Sequence, residues 1–374
     1  MSSEPPVFTI GAEGSFPWQV FHERHPELVR RLLDTHPYGP AQRSAVTELL
    51  ESTLNGVVPP PPEHWADRPL WLDWDRGHFA TPWSQAPFLW AESYFYRCLL
   101  DAVGYFTTGV DLFGPFKTAE LQDPALDNDF AWITETTFDT ALTAALYGNK
   151  ADLGFQLIAG RADTTTHPPL LADDSAHLHR FLLDHAPLRV TFVVDNAGRE
   201  LLSDLILAGH LLDTGMANEV VLHVKPYPYF TSDATFTDVG DCLRRLRKLP
   251  GATGDRLHHA AAEGTLSIRT HPFHAAPLSF ADMPADLAAE FATGLTIFKG
   301  DLNYRRLVGD RDWDPTASFQ DAVAYLPAPI AALRTLKSEV VLGLTPTTFQ
   351  DLEPNWRTSG HHALIQTANL PTRR

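Results

Sequence analysis

Residues Arg189–Leu212 read RVTFVVDNAGRELLSDLILAGHLL, and the fold turns on this stretch. Val190–Val194 is a short uncharged run rich in β-branched residues, the pattern of a strand buried on both faces of a parallel sheet. It passes through Asp195-Asn196-Ala197-Gly198 into a helix with apolar Leu201, Leu202, Leu205, Ile206 and Leu212, which closes on Thr214-Gly215. Ligands of open α/β sheets sit beyond the carboxyl ends of the strands, so Asp195 and Asn196 stand where chemistry is usually done. A carboxylate beside a carboxamide offers two oxygens to a hard divalent cation. In an extended strand these two side chains would point to opposite faces. Sharing one cation requires the chain to turn there, which Gly198 permits.

Further along, Val220–Lys225, Leu266–Phe273 and Leu295–Lys299 read as strands, a fifth falls within Ala331–Leu344, and Ala363–Gln366 is a candidate last one. Helices are predicted between them at Phe236–Leu249 and Ala281–Ala292. This alternation predicts an α/β fold with a mainly parallel sheet and helices on both faces. Upstream the pattern is helical. His25–Leu33 carries an early proline, Gln42–Leu54 an apolar stripe, and Pro87–Phe106 is a strongly apolar helix bearing Glu92 and Arg97. Each of these two charges is either a paired structural group or one that looks into a cleft. Trp65, Trp71, Trp74, Phe79 and Trp83 crowd one region and read as packing rather than a base-stacking platform. The polar connection Arg161–Pro169 suggests a boundary, with a helical domain over residues 1–175 and the α/β domain over 176–374.

The net charge of −17 over 374 residues argues against nucleic acid or an anionic membrane as partner. It also means that an anionic substrate needs a local cationic site or a bound metal. Only two cysteines, Cys98 and Cys242, occur, and they form no C-x-x-C pair, as expected of a reduced cytoplasmic protein. No run approaches transmembrane length.

Three strand ends deliver oxygens: Asp195 with Asn196, Asp233 and Asp301. A single Asp in such a place is more often a helix cap or turn former. Three in one sheet favour a metal site. Gly300–Arg306 (GDLNYRR) suits a phosphate held on backbone N–H groups and a guanidinium, or else a capping turn with Arg305 at the surface. Arg334-Thr335-Leu336-Lys337 adds two cations and a hydroxyl beside an apolar strand. G-x-S-x-G, Walker A and G-x-G-x-x-G motifs are all missing. An aspartyl nucleophile of the haloacid dehalogenase kind needs a second Asp where Ala197 stands.

Taken together, VVDNAGRE (Val193–Glu200), TSD (Thr231–Asp233), FKGDLNYRRLVGDRDW (Phe298–Trp313) and LRTLKSEVVLGL (Leu333–Leu344) resemble the acidic-residue-methyltransferase-like damage-control phosphatases, in the subfamily marked by Arg-Thr-x-Lys. WAESYFYR (Trp90–Arg97) and YGNKADL (Tyr147–Leu153) match less strictly, with Leu112 where the family usually has Pro and Tyr147 where it often has Trp. The resemblance implies a helical N-terminal domain against a Rossmann-like αβα domain, with the site between them. It implies metal ligands at Asp195, Asn196 and Asp233, and substrate contacts at Asp301, Leu302, Asn303, Tyr304, Arg305 and Lys337. The implied activity is hydrolysis of sugar phosphates such as fructose 1-phosphate with Mn²⁺, Co²⁺, Ni²⁺ or Mg²⁺. Asp195 and Asp301 are then the expected catalytic carboxylates, and Glu200, Arg334, Glu92 and Arg97 are further candidates. The competing expectations are an S-adenosylmethionine-dependent carboxyl methyltransferase and a non-catalytic sugar-phosphate binder. The first lacks support, because no Gly-rich loop follows the first strand.

Overall fold

A computed structural model describes residues 4–148 and 170–371. The expected connection at 161–169 and the part of the YGNKADL match at 149–153 lie outside these residues. Seven strands form one sheet: β1 (Ala172–Asp173), β2 (Leu188–Val193), β3 (Ala217–Val224), β4 (Leu266–Thr270), β5 (Leu295–Lys299), β6 (Ile330–Thr335) and β7 (Ala363–Ala368). Their order is β1-β7-β6-β5-β2-β3-β4. Every neighbouring pair is parallel except β6 with β7. The α/β reading with a mainly parallel sheet is thus realised. The antiparallel β7 arises because residues 336–362 return the chain from the carboxyl end of β6 without a full crossover helix, which a parallel pair needs. The two-residue β1 and the helix Thr253–Glu263 have no counterpart in the sequence reading.

Alternating strand residues bury on opposite faces, as period two dictates. Phe192, Leu222, Ile297, Leu333 and Ile365 face one core, shared with helices Phe138–Tyr147, Arg199–Asp213 and Phe236–Leu246. Val193, Phe298, Ala332 and Leu364 face a second core, shared with the N-terminal helices and with helix Gly300–Val308. Trp65, Trp71, Trp74 and Trp83 are buried in that second core around helix Phe88–Ala102, where Trp71 and Trp90 pack against Tyr94. The aromatic cluster is packing.

Strand order reverses beside β2: β3 and β4 lie on one side, and β5, β6, β7 and β1 follow on the other. That reversal opens a crevice beyond the carboxyl ends of β2 and β5. Asp195 follows β2 and Asp301 follows β5. No described helix is long and apolar enough to cross a membrane.

Candidate functional site

A cleft of about 470 Å³ opens at this crevice, lined among others by Asp195, Asn196, Asp233, Asp301, Leu302, Arg305, Lys337 and Glu92. The turn that Asp195 and Asn196 need is present. β2 ends at Val193, and Gly198 at φ +72° starts helix Arg199–Asp213. Asn196 and Asp233 form an isolated antiparallel bridge, flanked by hydrogen bonds from the Ala234 N–H to the Asp195 carbonyl (2.8 Å) and from the Ala197 N–H to the Ser232 carbonyl (2.7 Å). These bonds lock the loop after β3 onto the loop after β2. Phe230, at φ +50°, precedes Asp233 and stacks on Tyr96 with ring centroids 4.9 Å apart. A left-handed Phe is strained, and such strain clusters at functional loops.

The floor of the cleft is a carboxylate-rich network. Asn196 Nδ2 donates to Asp195 Oδ2 at 2.9 Å and to Glu200 Oε2 at 2.8 Å, and Asn196 Oδ1 accepts from Ser232 Oγ at 2.5 Å. Asp233 Oδ1 lies 3.3 Å from Lys225 Nζ, and neither atom has a hydrogen-bond partner among the described residues. Burial raises the Asp195 carboxyl well above its ordinary range, and the nearby charges of Glu200 and Asp233 add to the effect. Burial also pushes Asp233 up to about 6 against the pull of Lys225. Anionic oxygens thus crowd this floor without enough positive charge to hold them all ionised.

No group of three or more His, Cys, Asp and Glu side chains gathers as a metal cluster among the described residues. The expected set holds only two such side chains, the third donor being the Asn196 carboxamide. Two carboxylates and a carboxamide fit a hard, oxygen-preferring cation that keeps positions open. A cation there would give the orphaned Asp233 Oδ1 a partner and offset the crowding at the Asp195 carboxyl.

The opposite wall is cationic. Asp301 Oδ1 accepts from Arg334 Nε (2.8 Å), the Lys337 backbone N–H (3.1 Å) and Ser338 Oγ (3.2 Å). Burial alone would raise this carboxyl, but Arg334, Arg305 and the Lys337 N–H together hold it below its ordinary range. All the hydrogen bonds to Asp301 among the described residues fall on Oδ1, and Asp301 lines the cleft. Arg305 is buried between Asp310 (2.6 Å) and Glu92 (3.2 Å). Lys337 is exposed, and its ammonium has no ion-pair partner among the described residues.

Burial pushes the Glu92 carboxyl up to about 7, despite the pull of Arg305. The unfolded chain ionises Glu92 near its ordinary 4.5, whereas the folded chain keeps the proton until about 7. In that window the unfolded state binds fewer protons, so stability falls as pH rises, by up to about 3 kcal/mol from this group. Glu92→Gln removes the effect. The difference in Tm between variant and wild type is expected to shift in the variant's favour from pH 5 to pH 8; a difference independent of pH would contradict it.

Not every expected residue reaches the cleft. Arg97 pairs with Asp67 at 2.7 Å between the rings of Trp65 and Phe106, away from it. Asn303 Nδ2 donates to the Val193, Val194 and Lys299 carbonyls, tying helix Gly300–Val308 to the ends of β2 and β5. Tyr304 points to Gln366 (2.8 Å). Arg334 is fully buried and reaches the cleft only through Asp301. Glu200 stands behind Asn196.

Other residues escaped the sequence reading. Lys225 and Lys299 lie at or just past the ends of β3 and β5, both buried. A lysine at the end of an otherwise apolar parallel strand was the available signal. Lys117 bonds the Asp233 carbonyl at 3.0 Å and Asp238 at 3.0 Å. Arg24 and Arg31, from the π-turn Val20–Arg24 and helix His25–Thr35, bring two more cations to the cleft. They oppose the protein's net negative field at its mouth.

Comparison with known proteins gives the chain a family. The family model of the damage-control phosphatase ARMT1-like domain matches residues 20–352. Damage-control phosphatase ARMT1 of Danio rerio is 30% identical, covering 97% of this chain and 96% of its own length. The Homo sapiens protein of that name is 28% identical, covering 94% of this chain and 96% of its own. A DUF89 family protein from Pyrococcus horikoshii shares the fold, with a TM-score of 0.54 at 14% identity over 93% of this chain and 97% of that one. The chain belongs to the damage-control phosphatase ARMT1-like family.

Proposed function

We propose that this protein is a divalent-metal-dependent phosphatase of small phosphorylated metabolites, with sugar phosphates such as fructose 1-phosphate as its substrate class. The observation that carries the reading is the meeting of Asp195, Asn196 and Asp233 with Asp301, Arg305 and Lys337 in one cleft. Its size suits a small metabolite.

Asp195, Asn196 and Asp233 would hold the metal, with Mn²⁺, Co²⁺, Ni²⁺ or Mg²⁺ as candidates. When bound, it supplies Lewis-acid polarisation of a phosphoryl oxygen and lowers the pKa of water. Lys337 meets the phosphoryl group with a free ammonium. Arg305, already balanced by Asp310 and Glu92, contributes a fixed guanidinium with little rotamer freedom to lose. The first turn of helix Gly300–Val308 lines the cleft with Asp301 and Leu302, and a helix N-terminus favours an anion. Asp301 stays ionised but is strongly hydrogen-bonded through Oδ1, so it serves better to orient an attacking water through Oδ2 than to strip its proton. The helical N-terminal part closes the other side with Tyr96, Arg24 and Arg31.

A phosphate-release screen of sugar phosphates across these metals tests the reading. Metal-dependent turnover that EDTA abolishes is expected. Tight binding without turnover under any metal, or methyl transfer from S-adenosylmethionine in its place, would overturn it. Lys337→Ala removes one charge-assisted contact, about 1.5–3 kcal/mol, and should lower kcat/KM roughly 10–100-fold. An unchanged kcat/KM would remove Lys337 from the phosphoryl site.

A further inference from the structure

An asparagine serves a cation only with its oxygen; turned over, it presents two N–H groups and repels the ion. What decides the orientation of Asn196 lies behind it. Its Nδ2 faces two carboxylate oxygens, Asp195 Oδ2 at 2.9 Å and Glu200 Oε2 at 2.8 Å, which leaves Oδ1 toward Ser232 and the cleft. The reverse orientation would set the carboxamide oxygen against both carboxylates. Glu200 is itself held from behind: its Oε1 lies 3.5 Å from Lys299 Nζ. Lys299 is fully buried, pairs with Asp204 at 2.9 Å, and donates to the Ala145 carbonyl. Burial would strip a proton from Lys299, but Asp204 and Glu200 outweigh it and hold the ammonium charged.

We propose that Glu200, fixed by Lys299, is a positioning residue that keeps the Asn196 carboxamide oxygen turned toward the cation site. This deepens the metal-site reading and rests on it. Neither Glu200 nor Lys299 lines the cleft, and among the three expected ligands the one that Glu200 hydrogen-bonds is Asn196.

The arrangement gives Glu200→Gln a specific consequence. The buried ammonium of Lys299 claims the new carboxamide's single oxygen, so the glutamine presents its NH₂ to Asn196. Asn196 Nδ2 then meets a donor where it had an acceptor, and only Asp195 Oδ2 still holds the carboxamide oxygen toward the cation site. A near-isosteric change with no contact to the ion thus weakens the hold on an oxygen ligand.

The test is Mn²⁺ affinity of the full chain without substrate, measured by calorimetry, for wild type, Glu200→Gln, Asn196→Ala and the double variant. Changes behind metal ligands typically cost 10–100-fold in affinity, and a loss of that size is expected for Glu200→Gln, with the circular dichroism spectrum of the wild type retained. In the Asn196→Ala background the same substitution should change affinity by less than about 3-fold, because the residue it positions is gone. Equal losses in both backgrounds would mean that Glu200 acts by its own charge or by general structure, and would overturn the inference. So would undiminished affinity in Glu200→Gln. If Asn196→Ala itself binds Mn²⁺ as wild type does, the metal-site reading fails, an outcome distinct from failure of the positioning role.

Discussion

Asp195→Ala is expected to abolish phosphate release, lowering kcat/KM by at least ~10³-fold, the scale of about 4 kcal/mol of lost transition-state stabilisation. Three consequences meet in this one change. A carboxylate ligand is removed from the proposed cation site. Asn196 Nδ2 loses one of its two acceptors. The phosphoryl group would then rest on Lys337 and Arg305 alone, beside the remaining Asp233 carboxylate. Because the Asp195 carboxyl is buried and crowded by like charges, its removal should not destabilise the apo fold. A variant with wild-type Tm and no turnover is therefore the expected pair of results. Retained metal-dependent turnover would take Asp195 out of the site.

Gly300→Ala should be nearly as damaging, through a single methyl group. Gly300 sits at φ +79° between β5 and helix Gly300–Val308, and a Cβ built there would lie 1.9 Å from Asp195 Oδ2. Backbone strain in the left-handed region costs roughly 1–2 kcal/mol for a residue with a Cβ. The clash must also displace the Asp195 side chain, and a shift near 1 Å at a reacting centre costs about 10²-fold in rate. We expect both effects: Tm lowered by several degrees, and kcat/KM for a sugar phosphate lowered on the order of 10²-fold with weakened Mn²⁺ binding. Wild-type activity in the variant would show that this close approach does not constrain the site.

The strands that carry the site were legible because each is an apolar, β-branched run ending at a polar turn. Val190–Val194 and Leu295–Lys299 needed no tertiary knowledge to read. Strand direction leaves no such trace in composition, so the reversal of β7 was visible only in the pairing Thr335 with Ala363. β1 is too short, at two residues, to have a period. The cleft's oxygens were legible from their places at strand ends. What the residue types withheld was which way neighbouring side chains turn. Asn303, Tyr304 and Arg305 are consecutive on one helix, and its turn sends only the third to the cleft while the first two tie the helix to the sheet. Arg97 and Glu92 sit five residues apart on helix Phe88–Ala102, too far round for one face, and only Glu92 meets the cleft. Lys225 and Lys299 read locally as ordinary strand-end cations. Their burial is a product of convergence, since each is charge-balanced only by carboxylates brought in from other segments.

The central claim is that a divalent ion seated between the loops after β2 and β3 takes one oxygen from each of Asp195, Asn196 and Asp233. Anomalous diffraction from crystals soaked in Mn²⁺ tests this most directly. The account predicts one strong peak within coordination distance of all three side chains, at the floor of the cleft facing Lys337. A crystal of active protein whose peak lies elsewhere, or that shows none at saturating Mn²⁺, would contradict it.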